Sequence, residues 1–413
     1  TERMNMVYFK SLEKDGSPIL PLVSDRLNSY AFVGNDGPVF YFRTDRDAER
    51  GKLVSVNVLE RPYVWKEIVP QAQETLNSVQ MINDQFVLSY LKGAYSKIRI
   101  YNKDGRFLRD VELPGIGSAS GFGGRQKDTE TFYTFSSYNA PPTIYRYDMK
   151  TGKSTLFRQS KVKFNPDDCE VKQIFYSSNK KGLKLNGQNP TILYGYGGFN
   201  IPMTPGFSVA RLPWLEMGGV YAVACIRGGS EYGRTWWQNG SRLKKQNVFD
   251  DFIAAAEWLI SNNYTSSKKL AIQGGSNGGL LVGAVLNQRP ELFGAALPAV
   301  GVMDMVRFVK FTVGAAWKSD YGDPDDPTDF KALYAYSPLH NIKTGTKYPA
   351  TLITTADTDD RVFPAHSFKY TAALQAAQAG PAPILIRIET KAGHGAGKPT
   401  SKQIEEQTDI YGF

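Results

Sequence analysis

An α/β domain preceded by repeated antiparallel sheet is the fold the sequence predicts, on three observations. Short aromatic-rich strands recur at a nearly fixed period through the first 160 residues. Beyond Phe164, continuous apolar strands alternate with helical stretches. One of those strands runs through a glycine-rich turn straight into a helix, at Gly274-Gly275-Ser276-Asn277-Gly278-Gly279.

The repeat has two strands in each unit. Val39–Phe42, Phe86–Ser89 and Thr131–Thr134 begin 47 and 45 residues apart, and the strands that follow, Leu53–Val56, Ile98–Tyr101 and Ile144–Tyr147, are spaced 45 and 46. Asn102-Lys103-Asp104-Gly105 and Met149-Lys150-Thr151-Gly152 supply the Asp and Gly that tight turns require. A period in the mid-forties leaves room for four short strands per unit. That is the size of a β-propeller blade, and about three blades are visible. An irregular sandwich that repeats by chance is the competing reading.

The character changes near Phe164-Asn165-Pro166-Asp167-Asp168, so the expected division is 1–164 and 165–413. Thr191–Tyr194 and Val220–Ala224 read as buried strands of a parallel sheet covered on both faces. Phe249–Ile260 has helical spacing, with Asp250 and Asp251 placed to suit the helix dipole. Leu270–Ile272, Thr351–Thr354 and Ile384–Ile388 are further strands, and Leu280–Leu286 and Pro364–Leu374 are helical. Alternation of this kind defines an α/β domain.

Composition sets outer limits. With 413 residues, 41% hydrophobic and 22% charged, the chain suits two or three domains with buried cores and excludes disordered and collagen-like classes. Its two cysteines, Cys169 and Cys225, cannot make a disulfide framework, so folding does not call for an oxidising compartment. No apolar run approaches the ~18 residues of a membrane helix, and no signal peptide opens the chain. The expectation is a protein with no membrane association, cytoplasmic or periplasmic. A formal charge of +9 is spread diffusely; Arg242-Leu243-Lys244-Lys245 and Lys268-Lys269 read as solvated surface, and no nucleic-acid partner is expected. Three scattered histidines and two distant cysteines argue against a metal site, and no phosphate-binding loop is convincing, so no cofactor is expected.

The strand–turn–helix context of Gly274–Gly279 makes Ser276 a candidate nucleophile on a strained elbow, the purely structural alternative being a glycine turn that packs helix on strand. A serine nucleophile needs a base. Of His340, His366 and His394, the last lies in a polar glycine-rich loop after the strand Ile384–Ile388, where α/β strands deliver catalytic groups; the other two read as structural. An orienting carboxylate should follow another strand, and Thr351–Thr354 leads to Asp357, Asp359 and Asp360, which these residues alone do not separate. Serine, then acid, then histidine is the chain order of α/β-hydrolases.

These motifs resemble those of the prolyl oligopeptidase family over residues ~160–413, through Tyr194-Gly195-Tyr196-Gly197-Gly198-Phe199-Asn200, Ile226-Arg227-Gly228-Gly229, Gly274–Gly279, Asp359-Asp360-Arg361-Val362 and Lys391-Ala392-Gly393-His394-Gly395-Ala396-Gly397. The repeat region resembles, more loosely, the later blades of that family's propeller. The resemblance implies an α/β-hydrolase catalytic domain preceded by part of a β-propeller. It implies a serine endopeptidase cleaving short peptides after proline, with Ser276 as nucleophile, His394 as base and Asp359 orienting the histidine. It also implies that the Asn277 backbone N–H and the Tyr196 hydroxyl hold the oxyanion, and that Arg361 meets a substrate carbonyl. Trp317 would stack on the substrate proline, with Phe199, Val302, Tyr321 and Val362 completing the pocket. No acid stands among those pocket positions, which disfavours a preference for basic residues.

The implied partner is a short proline-containing peptide and the implied state a monomer. Family members carry earlier blades, a further N-terminal segment, residues beyond Gln403–Phe413, and a turn and strand where Val171–Tyr176 here runs almost directly into Lys180–Gly182. Two competing readings of the same motifs are an inactive or partner-dependent member of the family and a carboxylesterase.

Overall fold

The computed structural model describes residues 4–13, 15–174, 186–395 and 398–413. Strands β1 (Val7–Phe9) and β2 (Leu20–Val23) form an antiparallel pair. Three four-stranded antiparallel meanders follow. The first comprises β3 (Tyr30–Asp36), β4 (Val39–Thr44), β5 (Lys52–Asn57) and β6 (Trp65–Val69). The second comprises β7 (Thr75–Ile82), β8 (Gln85–Lys92), β9 (Tyr95–Asn102) and β10 (Phe107–Val111). The third comprises β11 (Ser118–Gly123), β12 (Glu130–Ser136), β13 (Thr143–Asp148) and β14 (Ser154–Gln159). The six strands expected from the repeat are the middle two of each sheet, β4, β5, β8, β9, β12 and β13. The outer strands β6, β10 and β14 were invisible in the periodicity because they are more exposed and less apolar.

Each sheet packs face to face with the next, and strand alternation supplies both interfaces. On β8, Phe86, Leu88 and Tyr90 join a core with Tyr41 and Leu53 of the first sheet, while Val87 joins Phe122, Tyr133 and Tyr147 of the third. The first strands β3 and β11 of the flanking sheets both touch β7, the first strand of the middle one. Stacked meanders whose first strands converge are propeller blades.

The second half is a six-stranded parallel sheet of β15 (Thr191–Tyr194), β16 (Val220–Val223), β17 (Leu270–Gly275), β18 (Ala295–Ala299), β19 (Ala350–Ala356) and β20 (Ile384–Glu389), in the order β16-β15-β17-β18-β19-β20. Its helices are α1 (Leu212–Glu216), α2 (Arg234–Gln238), α3 (Gln246–Ser261), α4 (Asn277–Gln288), α5 (Lys318–Tyr321), α6 (Pro327–Tyr336), α7 (Ala365–Ala377) and α8 (Thr400–Gly412). Helix α4 is buried along nearly its whole length, which is why its sequence is apolar on every face. It packs on β17 and β18 and against α3, so the residue at its start is fixed by the core itself.

Several expectations are corrected here. Val220–Val223 is half-buried throughout, and among the described residues only β15 pairs with it. Helix α3 begins at Gln246, so Asp250 and Asp251 lie past its first turn; Asp251 instead binds Arg227 through both carboxylate oxygens. Lys245 is not solvated surface: it is 1% exposed, although Arg242, Leu243 and Lys244 beside it face water. Strand β18 escaped the sequence because Ala295–Ala299 is short and built of small residues. The shortened link around Val171–Gly182 and the motif residues Ala396 and Gly397 lie partly or wholly outside the described residues.

The two halves meet through polar contacts. Thr75 donates to the Glu231 carbonyl at 3.1 Å, Ser118 to the Pro205 carbonyl at 2.7 Å, and the Arg234 backbone N–H to the Glu49 carbonyl at 3.1 Å. Among the described residues no helix is long and apolar enough to cross a membrane.

Candidate active site

Parallel strands place their carboxyl ends along one edge of the sheet, and the candidate residues follow those ends in turn. Tyr196 comes after β15, Ser276 after β17, Val302 after β18, Asp359 after β19 and His394 after β20. Sheet order thus gathers residues up to about two hundred positions apart.

Ser276 sits between β17 and α4 at φ 59°, in the left-handed region that a non-glycine residue enters only under constraint. Its N–H bonds the Ala299 carbonyl at 2.9 Å, extending the β17–β18 ladder into the turn. The flanking glycines have a steric reason. A Cβ at Gly274 would come within 2.4 Å of the Gly278 carbonyl oxygen, and one at Gly278 within 2.6 Å of that of Gly195. The turn is sharp because strand, helix and the β15 loop touch backbone to backbone.

Of the three aspartates after β19, it is Asp359 that meets the histidine. Its Oδ2 lies 2.6 Å from His394 Nδ1, while Oδ1 accepts the backbone N–H groups of Arg361 and Val362 at 2.9 Å each. Asp359 is 3% exposed, and Asp357 and Asp360 face solvent. Asp357 works at one remove. The backbone N–H of Lys391 and that of Ala392 hold its carboxyl below the usual carboxylate range. Thr358 also donates to the Ala392 carbonyl at 2.7 Å. These bonds stitch the acid loop to the histidine loop. A carboxylate only accepts, so the proton of neutral His394 belongs on Nδ1 and Nε2 is left as the acceptor.

Asn277 is the first residue of α4, and its backbone N–H is among the four that a helix leaves unused. Its side chain is 2% exposed and turns inward: Nδ2 donates to the Tyr196 carbonyl at 2.5 Å, and Oδ1 accepts from the Tyr321 hydroxyl at 2.9 Å. The Tyr196 hydroxyl has no hydrogen-bond partner among the described residues. Burial, helped by the negative charge of Asp320, pushes its pKa up to about 12, so the phenol keeps its proton.

The aromatic residues form a small apolar group. Trp317, half-buried, lies parallel to Phe308 at 6.4 Å and edge-on to Tyr321 at 6.3 Å, and Phe199 meets Tyr321 edge-on at 5.4 Å. Val302, Val362 and Tyr321 are each 1% exposed. Phe308, the backing of Trp317, carried no motif and was missed. Arg361 is exposed, and among the described residues it forms no ion pair with the neighbouring aspartates. An acid lies beneath this group, although it is none of the expected pocket positions. Asp320 is 1% exposed, and its oxygens are taken by the Phe199 N–H, the Trp237 indole and Lys245.

The other histidines are held in packing. His340 Nδ1 pairs with the Ser337 hydroxyl at 2.8 Å, and buried His366 accepts the Asp304 backbone N–H at 3.1 Å. Among the described residues no group of three metal-ligating side chains converges.

Comparison with known proteins shows the family of the chain. Residues 205–413 match the model of the prolyl oligopeptidase family, and residues 1–160 match the N-terminal β-propeller domain of prolyl oligopeptidase. The chain belongs to the prolyl oligopeptidase family. It is 46% identical to a prolyl endopeptidase of Elizabethkingia miricola over 99% of this chain and 60% of that protein. A solved prolyl endopeptidase structure superimposes with a TM-score of 0.93 at 44% identity, covering 99% of this chain and 62% of that one. Prolyl oligopeptidase B of Galerina marginata, solved with a bound 35mer substrate, gives a TM-score of 0.93 at 37% identity, covering 100% and 61%. The chain therefore spans about three-fifths of the length of these relatives.

Proposed function

We propose that this chain is a serine endopeptidase that cleaves short peptides on the carboxyl side of proline. The observation that carries the reading is the pairing of half-buried His394 with buried Asp359 at 2.6 Å, set on the same sheet edge as Ser276 in its strained turn. Ser276 Oγ attacks the scissile carbonyl carbon while His394 Nε2 takes the hydroxyl proton. The carbonyl oxygen becomes an oxyanion, bound by the Asn277 N–H and the Tyr196 hydroxyl. Collapse breaks the C–N bond, the amine leaves with the proton from Nε2, and an ester to Ser276 remains. Water, deprotonated by the same nitrogen, then releases the acid and restores the serine.

Asp359 keeps the imidazole in the tautomer this cycle needs and stabilises the imidazolium formed in each half. Arg361, exposed and unpaired with its neighbours, binds a substrate carbonyl with its forked guanidinium. Trp317 offers a flat face to a proline ring, which has no N–H to satisfy. Asp320 does not make this a pocket for basic residues, because its charge is already neutralised from below. Attack, proton transfer and oxyanion binding are all met by side chains and backbone, so the reading calls for no cofactor. The propeller half, divided from the hydrolase half near residue 165, limits access to short peptides, and the enzyme acts as a monomer in the cytoplasm or periplasm.

The test is hydrolysis of a short chromogenic Gly-Pro substrate, with Ser276→Ala as control. Turnover that depends on Ser276 is expected. A folded, monodisperse protein no faster than that control would overturn the peptidase reading in favour of an inactive or partner-dependent form. Turnover of simple esters with no proline preference would favour a carboxylesterase.

A further inference from the structure

Lys245 is a buried charge that the proposed chemistry does not use. It stands at the start of α3, yet its ammonium is 1% exposed and reaches three different segments. Nζ donates to the Gly197 carbonyl at 2.9 Å, in the loop that carries Tyr196. It donates to Asn277 Oδ1 at 3.2 Å, at the start of α4, and to Asp320 Oδ2 at 3.3 Å, beside Tyr321. The Tyr321 ring lies 5.2 Å away as a fourth, cation–π neighbour. An ammonium has three protons and no lone pair, and three acceptors stand around this one, so the cation is fully used.

Such a pair is costly for stability alone. Removing two charges from water outweighs their attraction unless further hydrogen bonds complete it, and apolar residues of equal volume often serve as well. What apolar residues cannot do is fix polar groups in direction. The Asn277 amide is held at both ends, by Lys245 and Tyr321 at its oxygen and by the Tyr196 carbonyl at its nitrogen. The two groups read above as oxyanion donors are therefore tied to each other, through one amide and one ammonium.

We infer that Lys245, paired with Asp320, is a positioning residue that holds the Asn277 N–H and the Tyr196 hydroxyl on a common oxyanion. The inference rests on the assignment of those two donors under the proposed function. It concerns orientation, so the cost of losing Lys245 should fall on the transition state and leave substrate binding nearly intact.

The experiment uses Lys245→Met together with Asp320→Asn, which removes the ammonium without leaving a bare buried carboxylate. The pair variant is expected to fold, to lose ten- to a hundredfold in kcat on a chromogenic Gly-Pro substrate, and to keep KM within about threefold. Its affinity for a peptidyl prolinal, whose hemiacetal with Ser276 carries the oxyanion, should fall by the same factor as kcat. Backbone amide exchange should rise in residues 195–200 and 276–278 and stay unchanged in β19. A folded pair variant with kcat within twofold of the parent, a loss confined to KM, or unaltered exchange in those two segments overturns the inference. If the pair does not fold, Asn277→Ala reads the same latch from its other end. That variant keeps the backbone N–H and the ion pair, so an unchanged kcat there is equally fatal. If the parent is no faster than Ser276→Ala, the peptidase reading fails on its own, and the exchange measurement still decides the positioning role.

Discussion

His394 Nδ1 and Asp359 Oδ2 lie 2.6 Å apart in a site where the aspartate is fully enclosed and the histidine nearly so. A carboxylate so placed is satisfied on both oxygens, by the imidazole on one side and two backbone N–H groups on the other. Replacing it with an amide leaves the shape and removes the preference for the Nδ1-protonated tautomer. Asp359→Asn is expected to lower kcat roughly a thousandfold or more with KM little changed. Asp360→Asn, at an exposed position one residue on, should stay within about threefold. Steady-state rates on the Gly-Pro substrate check both.

Tyr196→Phe removes one hydroxyl from a residue otherwise held by its backbone. Loss of a single oxyanion donor is worth about 3 kcal/mol in the transition state, or roughly a hundredfold in kcat, with a small effect on KM. Because the phenol titrates near 12, activity below pH 10 should show no limb that disappears in the Phe variant. A pH–rate profile of the two proteins tests this.

Trp317→Ala deletes the half-buried ring that stands parallel to Phe308. The expected result is a collapse of the preference for proline over alanine before the scissile bond, read as the ratio of kcat/KM on matched substrates. Trp317→Phe should retain part of the preference. A ratio unchanged by the Ala substitution would place proline recognition elsewhere.

Glu231 lies near the contact between the two halves, where Thr75 bonds its carbonyl. Its side chain is 1% exposed and accepts the Met203 N–H at 2.8 Å, and burial pushes its pKa up to about 7. The native state thus keeps a proton that the unfolded chain releases near 4.5, so stability from this group is full below pH 4.5 and is lost as pH rises towards 7. The span is on the order of 3 kcal/mol. Glu231→Gln should flatten that decline, so its thermal midpoint relative to the parent rises between pH 5 and 7. Taking the difference between the two proteins cancels His366, whose imidazole, held down to about 4 by burial, acts in the opposite direction over the same range.

Much of the fold was legible because hydrophobic periodicity is local. The middle strands of each blade, the parallel strands β15, β17 and β19 and the helices α3, α4 and α7 all carry their own signal, whereas central β18 does not because it is short and mostly alanine. Outer strands such as β10 and β14 bury one side or none, and alternation fades with burial. Ser276 and His394 were legible because both lie in glycine-rich turns that follow strands, and Asp359 was narrowed to one of three.

By itself, the sequence determined which residue types stand after which strands, and hence the candidate nucleophile, base and group of acids. Tertiary structure decided which aspartate faces the histidine, because that choice depends on hydrogen bonds between the β19 and β20 loops. It also decided the fate of Lys245. In the chain that lysine is one of several basic residues in a row, and nothing local distinguishes it from Lys244. Only the packing of α3 beneath the β15 loop and α4 removes it from water, and a charge without water must find partners. It finds them in Gly197, Asn277 and Asp320, segments that meet nowhere but in the folded sheet.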